Sequence, residues 1–154
     1  MTPQPRMKHP ALVLDGAMSA MQALGRATDN KGLSQAQLEM VYLRASQING
    51  CSVCVDMHAR ALKKYGESDE RIFAVAAWRD TPYFTDAERA TLALTEAATR
   101  LSDRADPIDD AIWNEAAKHY DEQAMAALLF AIGQINVWNR LNVAVRQVAG
   151  VWKG

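Results

Sequence analysis

The chain has 154 residues, 49% hydrophobic and 23% charged, a globular balance over a length that supports one hydrophobic core, so a single domain is expected. Seventeen Lys and Arg stand against 18 Asp and Glu, a net charge of -1 with both signs interspersed, which leaves no basic footprint for nucleic acid or an anionic membrane surface. The longest apolar runs, such as 124–133, fall well short of the roughly 20 residues that cross a bilayer, so no membrane partner is expected.

Apolar residues recur with a period near 3.6 along almost the whole chain and nowhere alternate as strands do, which predicts an all-α bundle of about seven helices. Pro3, Pro5 and Pro10 mark residues 1–10 as an irregular N-terminal arm, expected to pack on something or fray, ahead of a helical domain over 11–154. Arg6 and Lys8 precede a stretch that contains Asp15 and makes a poor apolar segment for a secretory signal, so the cytoplasm is the expected location. Leu12, Leu14, Met18, Met21 and Leu24 predict a first helix that fades over 25–32.

Ser34-x-x-Gln37 reads as a capping box, in which a hydroxyl and an amide side chain satisfy free backbone donors at a helix start. The helix it opens carries Leu38, Val41, Tyr42, Ala45 and Ile48 and should stop at Asn49-Gly50, a typical left-handed C-terminal pair. A new helix should start at Cys51 or Ser52 and end near Gly66. Residues 68–78 predict a shorter helix, and Thr85-x-x-Glu88 a second capping box opening 86–101. Asp106-Pro107 places proline at a first helical position, and Asp121 caps the longest pattern, 122 to about 148.

Cys51 and Cys54 are the only cysteines, and His58 is one of three histidines. On a helix they are spaced i,i+3 and i,i+4, so two sulfurs and an imidazole share one stripe. In a reducing compartment such a pair is more often catalytic or metal-binding than structural. A thiol with the ordinary pKa of about 8.5 is mostly protonated at neutral pH, and only the thiolate attacks. The helix start, the neighbouring thiol and His58 can each lower that value, which makes Cys54, one turn from His58, the better attacking sulfur.

Glu39 lies within the run Leu38-Glu39-Met40-Val41 of the preceding helix, and the tight Asn49-Gly50 turn can bring it opposite His58, giving a carboxylate, imidazole and thiol relay. Zinc held by Cys51, Cys54, His58 and Glu39 is the rival reading. It is disfavoured because two ligands would share one short turn, no second CxxC exists, and structural zinc sites rarely use glutamate. Glu96 is expected to face solvent rather than the site. Trp78, Trp113, Trp138 and Trp152 read as core or subunit interface, His119 as a helix C-terminal contact, and His9 as a residue without a local partner.

Glu39 followed by Ser46-Gln47-Ile48-Asn49-Gly50-Cys51-x-x-Cys54-x-x-x-His58 resembles the core signature of the AhpD-like alkylhydroperoxidases within the carboxymuconolactone decarboxylase family, with matching spacing throughout. Trp78-Arg79-Asp80, Phe84-Thr85, Glu88-Arg89-Ala90, Thr95-Glu96-Ala97 and Asn136-x-Trp138-Asn139-Arg140 also resemble single-domain members, so the likeness covers about residues 10–150.

The resemblance implies an all-helical homo-oligomer, a trimer or a hexamer built as a pair of trimers, that works without metal, haem or flavin. It implies reduction of hydroperoxides or, as a disulfide reductase, recycling of a peroxiredoxin, with electrons from a lipoyl or thioredoxin-like dithiol protein. By matched position it implies Cys54 as the peroxidatic thiol, Cys51 as the resolving one, and Glu39 with His58 as the proton relay. The chain departs from the best-known members at Val53, where they carry a histidine thought to help disulfide closure. Members without the cysteine pair decarboxylate carboxymuconolactone, so a lyase of that type stands as an alternative. A non-enzymatic oligomer whose CxxC toggles an interface is the other.

Overall fold

The structure, a computed structural model, describes residues 2–150. In chain order its helices are α1 (Pro10–Val13), α2 (Ala17–Arg26), α3 (Gln35–Asn49), α4 (Ser52–Lys64), α5 (Asp69–Ala74), α6 (Asp86–Thr99), α7 (Asp110–His119) and α8 (Glu122–Ala144). A 3₁₀ segment, Val75–Asp80, follows α5, and no strand occurs among the described residues. The protein is all-α, as the periodicity predicts.

Both capping boxes form. Ser34 accepts from the Gln37 amide while Gln37 accepts from that of Ser34, and Thr85 and Glu88 do the same at the start of α6. Gly50 ends α3 at φ 68, a left-handed conformation that costs glycine little, and the chain restarts at once as α4. This two-residue reversal packs α4 back along α3 and sets the site between them.

Helix α3 is the central element, packed on α4, α6 and α8. Leu38, Val41, Tyr42 and Ala45 join Leu94, Leu128, Ile132 and Ile135 in one core cluster. Met40 and Leu43, on the other side of the same helix, join Leu62, Ile72, Val75, Trp78, Phe84 and Leu92 in a second. Each fully buried leucine contributes roughly 1.5–3 kcal/mol relative to exposure, so α3 is anchored from two sides.

Several boundaries differ from the sequence expectation. The first helix is broken by Leu14, Asp15 and Gly16, the last at φ 77, so α1 and α2 are separate and the described residues form eight α-helices, close to the seven or so expected. The segment after Ser68 is α-helical only to Ala74 and then tightens to 3₁₀, with Ala77 outside helical dihedrals. Pro107 does not start a helix; Asp109 accepts from the Ile112 amide and caps α7 two residues later. Helix α8 ends at Ala144, short of 148, where Arg146 takes φ 56.

Within the arm, the Arg6 amide donates to the Val145 carbonyl at 2.8 Å and Arg6 Nη1 to that of Ala144 at 3.1 Å. Of the tryptophans, Trp78 is core and Trp113 is exposed, whereas Trp152 lies outside the described residues.

Candidate active site

The turn that delivers the cysteines is held by asparagines. Asn49, last residue of α3, donates its side-chain amide to Asn136 Oδ1 at 2.9 Å and Asn139 Oδ1 at 3.0 Å on α8. Asn139, fully buried, donates in turn to Ser46 Oγ at 2.9 Å. Buried amides are stable only when paired, and each pairing here ties the end of α3 to α8 just before Cys51.

Cys51 caps α4 and is joined to Cys54 by a disulfide with Cα atoms 5.3 Å apart. Its Sγ accepts from the Cys54 amide at 3.3 Å, so in the reduced state the first free N–H groups and the helix dipole favour a thiolate there. Cys54 Sγ accepts from Asn142 Nδ2 at 3.5 Å. Both sulfurs are therefore supplied with donors that stabilise negative charge.

Glu39 and His58 meet across the α3–α4 interface, Oε2 accepting from Nδ1 at 2.6 Å. A carboxylate on Nδ1 fixes that proton in place and leaves Nε2 of the neutral ring as a lone-pair base. The Tyr42 ring packs at 5.1 Å from that of His58, and its hydroxyl accepts from Gln134 Nε2 at 2.8 Å. Burial pushes the Tyr42 hydroxyl above its ordinary pKa of 10.0, which keeps it neutral beside the pair.

Cys54 and His58 open into a cavity of about 220 Å³ whose apolar walls come from Met18, Val53, Met57, Ile135 and Trp138. Val53, the position of departure from the family pattern, thus forms wall next to the sulfur. Trp138 is cavity lining, not only core.

Structure and sequence disagree on Glu96. It is 4% exposed, not solvent-facing, and accepts from Arg44 Nε at 2.8 Å, Trp78 Nε1 at 2.9 Å and Arg79 Nη1 at 2.6 Å. Packing α6 on α3 brings it against Arg44, and neither charge could be buried alone. Burial alone would raise its pKa, but the bonds from Arg79, Trp78 and Arg44 outweigh that and hold the carboxyl below its ordinary 4.5. It fastens the core and does not line the cavity.

Sequence reasoning assigns none of Asn142, Tyr42, Gln134 and His9 to the site, yet all line the cavity. Asn142 carries the clearest missed signal: with Asn136 and Asn139 it forms an i,i+3,i+6 row of polar side chains on the apolar helix α8.

The sequence profile of the carboxymuconolactone decarboxylase family matches residues 15–97. The uncharacterized protein YdfG of Bacillus subtilis is 33% identical over 128 residues, 83% of this chain and 86% of YdfG. An alkyl hydroperoxide reductase AhpD of Methylobacterium is 35% identical over 66 residues, 43% of this chain and 35% of the reductase. The crystal structure of ATU0492 from Agrobacterium tumefaciens, a protein of unknown function and candidate AhpD of antioxidant defence, superposes with a TM-score of 0.88. It is 32% identical, and the match covers 97% of this chain and 100% of ATU0492. With more than half its length under the family profile and a likeness to YdfG and ATU0492 that covers most of each chain, this chain belongs to the carboxymuconolactone decarboxylase family as an AhpD-like member.

Proposed function

We propose that the protein is a thiol-dependent peroxidase that reduces organic hydroperoxides through Cys54 and Cys51 and is recycled by an external dithiol. The observation that carries this reading is Cys54 opening, together with the Glu39-held His58, into one apolar cavity.

In the forward step His58 Nε2 takes the Cys54 proton, and the thiolate attacks the terminal oxygen of the hydroperoxide. The S–O bond forms as the O–O bond breaks, and the electron pair leaves on the carbon-bound oxygen, which takes the proton back from His58 and departs as the alcohol. Cys54 is now a sulfenic acid. The Cys51 thiolate attacks it, displacing hydroxide that is protonated to water, and the disulfide forms. Two electrons and two protons from a lipoyl or thioredoxin-like dithiol reopen it; a peroxiredoxin disulfide is the other acceptor such a pair could serve.

The setting that fits is cytoplasmic antioxidant defence, with the helical domain over 11–154 acting as a homo-oligomer, a trimer or hexamer. Exposed Phe130 and Val137 on α8, with Leu101 and Trp113, are apolar surface suited to subunit contact.

The test is steady-state consumption of an organic hydroperoxide with a lipoyl donor. Turnover abolished by Cys54→Ser and Cys51→Ser supports the reading. A disulfide that forms and reopens without turnover would favour the redox-switched oligomer, and decarboxylation of carboxymuconolactone by the Cys54→Ser variant would favour the lyase.

A further inference from the structure

The His58 ring is held at one nitrogen, Nδ1, which donates to Glu39 Oε2 at 2.6 Å between two largely buried side chains. That bond places one atom but not the plane of the ring, because the torsion that turns an imidazole about its stem is broad. A swing about the Glu39 bond would move Nε2, the base of the proposed relay. Proton transfer is sensitive to such movement: misplacing a reacting group by about 1 Å can cost roughly 10²-fold in rate.

A second residue of α3 stands in the way of that swing. Tyr42 follows Glu39 by three positions, so the two share one face of the helix, and the Tyr42 ring packs 5.1 Å from that of His58 with the planes tilted by 49°. Tyr42 is itself held from several sides. It is buried in the core cluster that contains Leu128 and Ile132, and its hydroxyl accepts from Gln134 Nε2 of α8 at 2.8 Å. Gly25 of α2 leaves room for that amide, since a Cβ there would lie 3.0 Å from Gln134 Oε1. The tyrosine is thus fixed by the fold where the imidazole alone is not, and it lines the cavity shared by Cys54 and His58.

We propose that Tyr42 is a positioning residue for His58: its ring closes one side of the imidazole's swing about the Glu39 bond and keeps Nε2 in the orientation that serves Cys54. Glu39 then fixes where the ring is tethered and Tyr42 how it is turned. In this role Tyr42 acts through His58 and needs no contact with substrate. The assignment rests on the thiol relay for the chemistry it serves, but its test needs no peroxide.

The test is the rate at which iodoacetamide alkylates Cys54 in the Cys51→Ser background at neutral pH. Tyr42→Leu, which opens space beside the imidazole, should slow it by about tenfold. Tyr42→Phe, which keeps the ring, should retain most of the native rate. Combined with His58→Gln, Tyr42→Leu should slow alkylation no further, because no imidazole is left to orient. Equal slowing by Tyr42→Leu with and without His58, which is what a loosened core alone would do, overturns the assignment, as does Tyr42→Phe reacting as slowly as Tyr42→Leu. Carbon-13 relaxation of the His58 ring in the native protein, a readout independent of whether a variant folds, should give an order parameter near the roughly 0.85 of rigid backbone, and a value below about 0.6 overturns the assignment as well. A chain that alkylates as expected yet consumes no hydroperoxide would refute the peroxidase reading and leave the role of Tyr42 standing, so the two failures are told apart.

Discussion

Asn142 on α8 donates its side-chain amide to Cys54 Sγ at 3.5 Å, across the contact that packs α8 on the first turn of α4. A donor aimed at a sulfur favours the thiolate over the thiol. Asn142→Leu is therefore expected to slow alkylation of Cys54 at neutral pH by up to about tenfold. The check is the pH profile of iodoacetamide reaction in a Cys51→Ser background, where Cys54 is the one remaining thiol; an unchanged profile would remove Asn142 from the site.

In the proposed relay Glu39 acts on Cys54 through His58, since its Oε2 accepts from His58 Nδ1. His58→Gln should slow attack by about 10²-fold or more, and Glu39→Gln by less. The double variant should be no slower than His58→Gln alone, since the carboxylate has nothing left to orient. Single-turnover rates measure this, and additive losses would mean that Glu39 reaches the reaction by another route.

The site's first layer was legible in the sequence because it is local. Cys51, Cys54 and His58 lie on one helix whose start is dictated by Gly50, and Glu39 lies one tight turn away. The capping boxes at Ser34 and Thr85 were legible for the same reason. What escaped came from long-range packing. Asn142 meets Cys54 across 88 positions of sequence, and Glu96 meets Arg44 across 52. Helix spacing cannot say which neighbour a polar side chain finds, so a carboxylate on an alanine and leucine helix read as solvent-facing when it is a buried ion-pair centre.

Glu96 also sets an acid limit on stability. Its carboxyl titrates below 4.5 in the folded protein, so the stabilisation it gives is present above that value and is lost as pH falls through the folded pKa. Glu96→Gln leaves Arg44 buried without its counter-charge and should cost about 3–5 kcal/mol at neutral pH. Urea unfolding at neutral and acidic pH should show the gap between the native chain and the variant shrinking on acidification. A gap that stays constant would mean that the charge contributes nothing.

The asparagine row predicts a structural defect with a redox consequence. Asn139→Leu removes one of the two acceptors for Asn49 and the donor to Ser46, two bonds that seat the turn before Cys51. The expected loss is about 2–4 kcal/mol, a fall in Tm on the order of 5–15 °C for a chain of this size, together with slower disulfide closure. Calorimetry and thiol counting after oxidation check the two effects separately. A destabilised variant that still closes its disulfide at the native rate would show that the row serves the fold alone.

The central claim is that Cys54 is the sulfur that meets the peroxide. It is tested most directly by mixing reduced protein with one equivalent of an organic hydroperoxide and trapping sulfenic acid with dimedone for mass spectrometry. The adduct should appear on Cys54 in the Cys51→Ser variant, and the native chain should lose two thiols without forming it. An adduct confined to Cys51 in the Cys54→Ser variant, or thiols that ignore the peroxide in every form, would contradict the account.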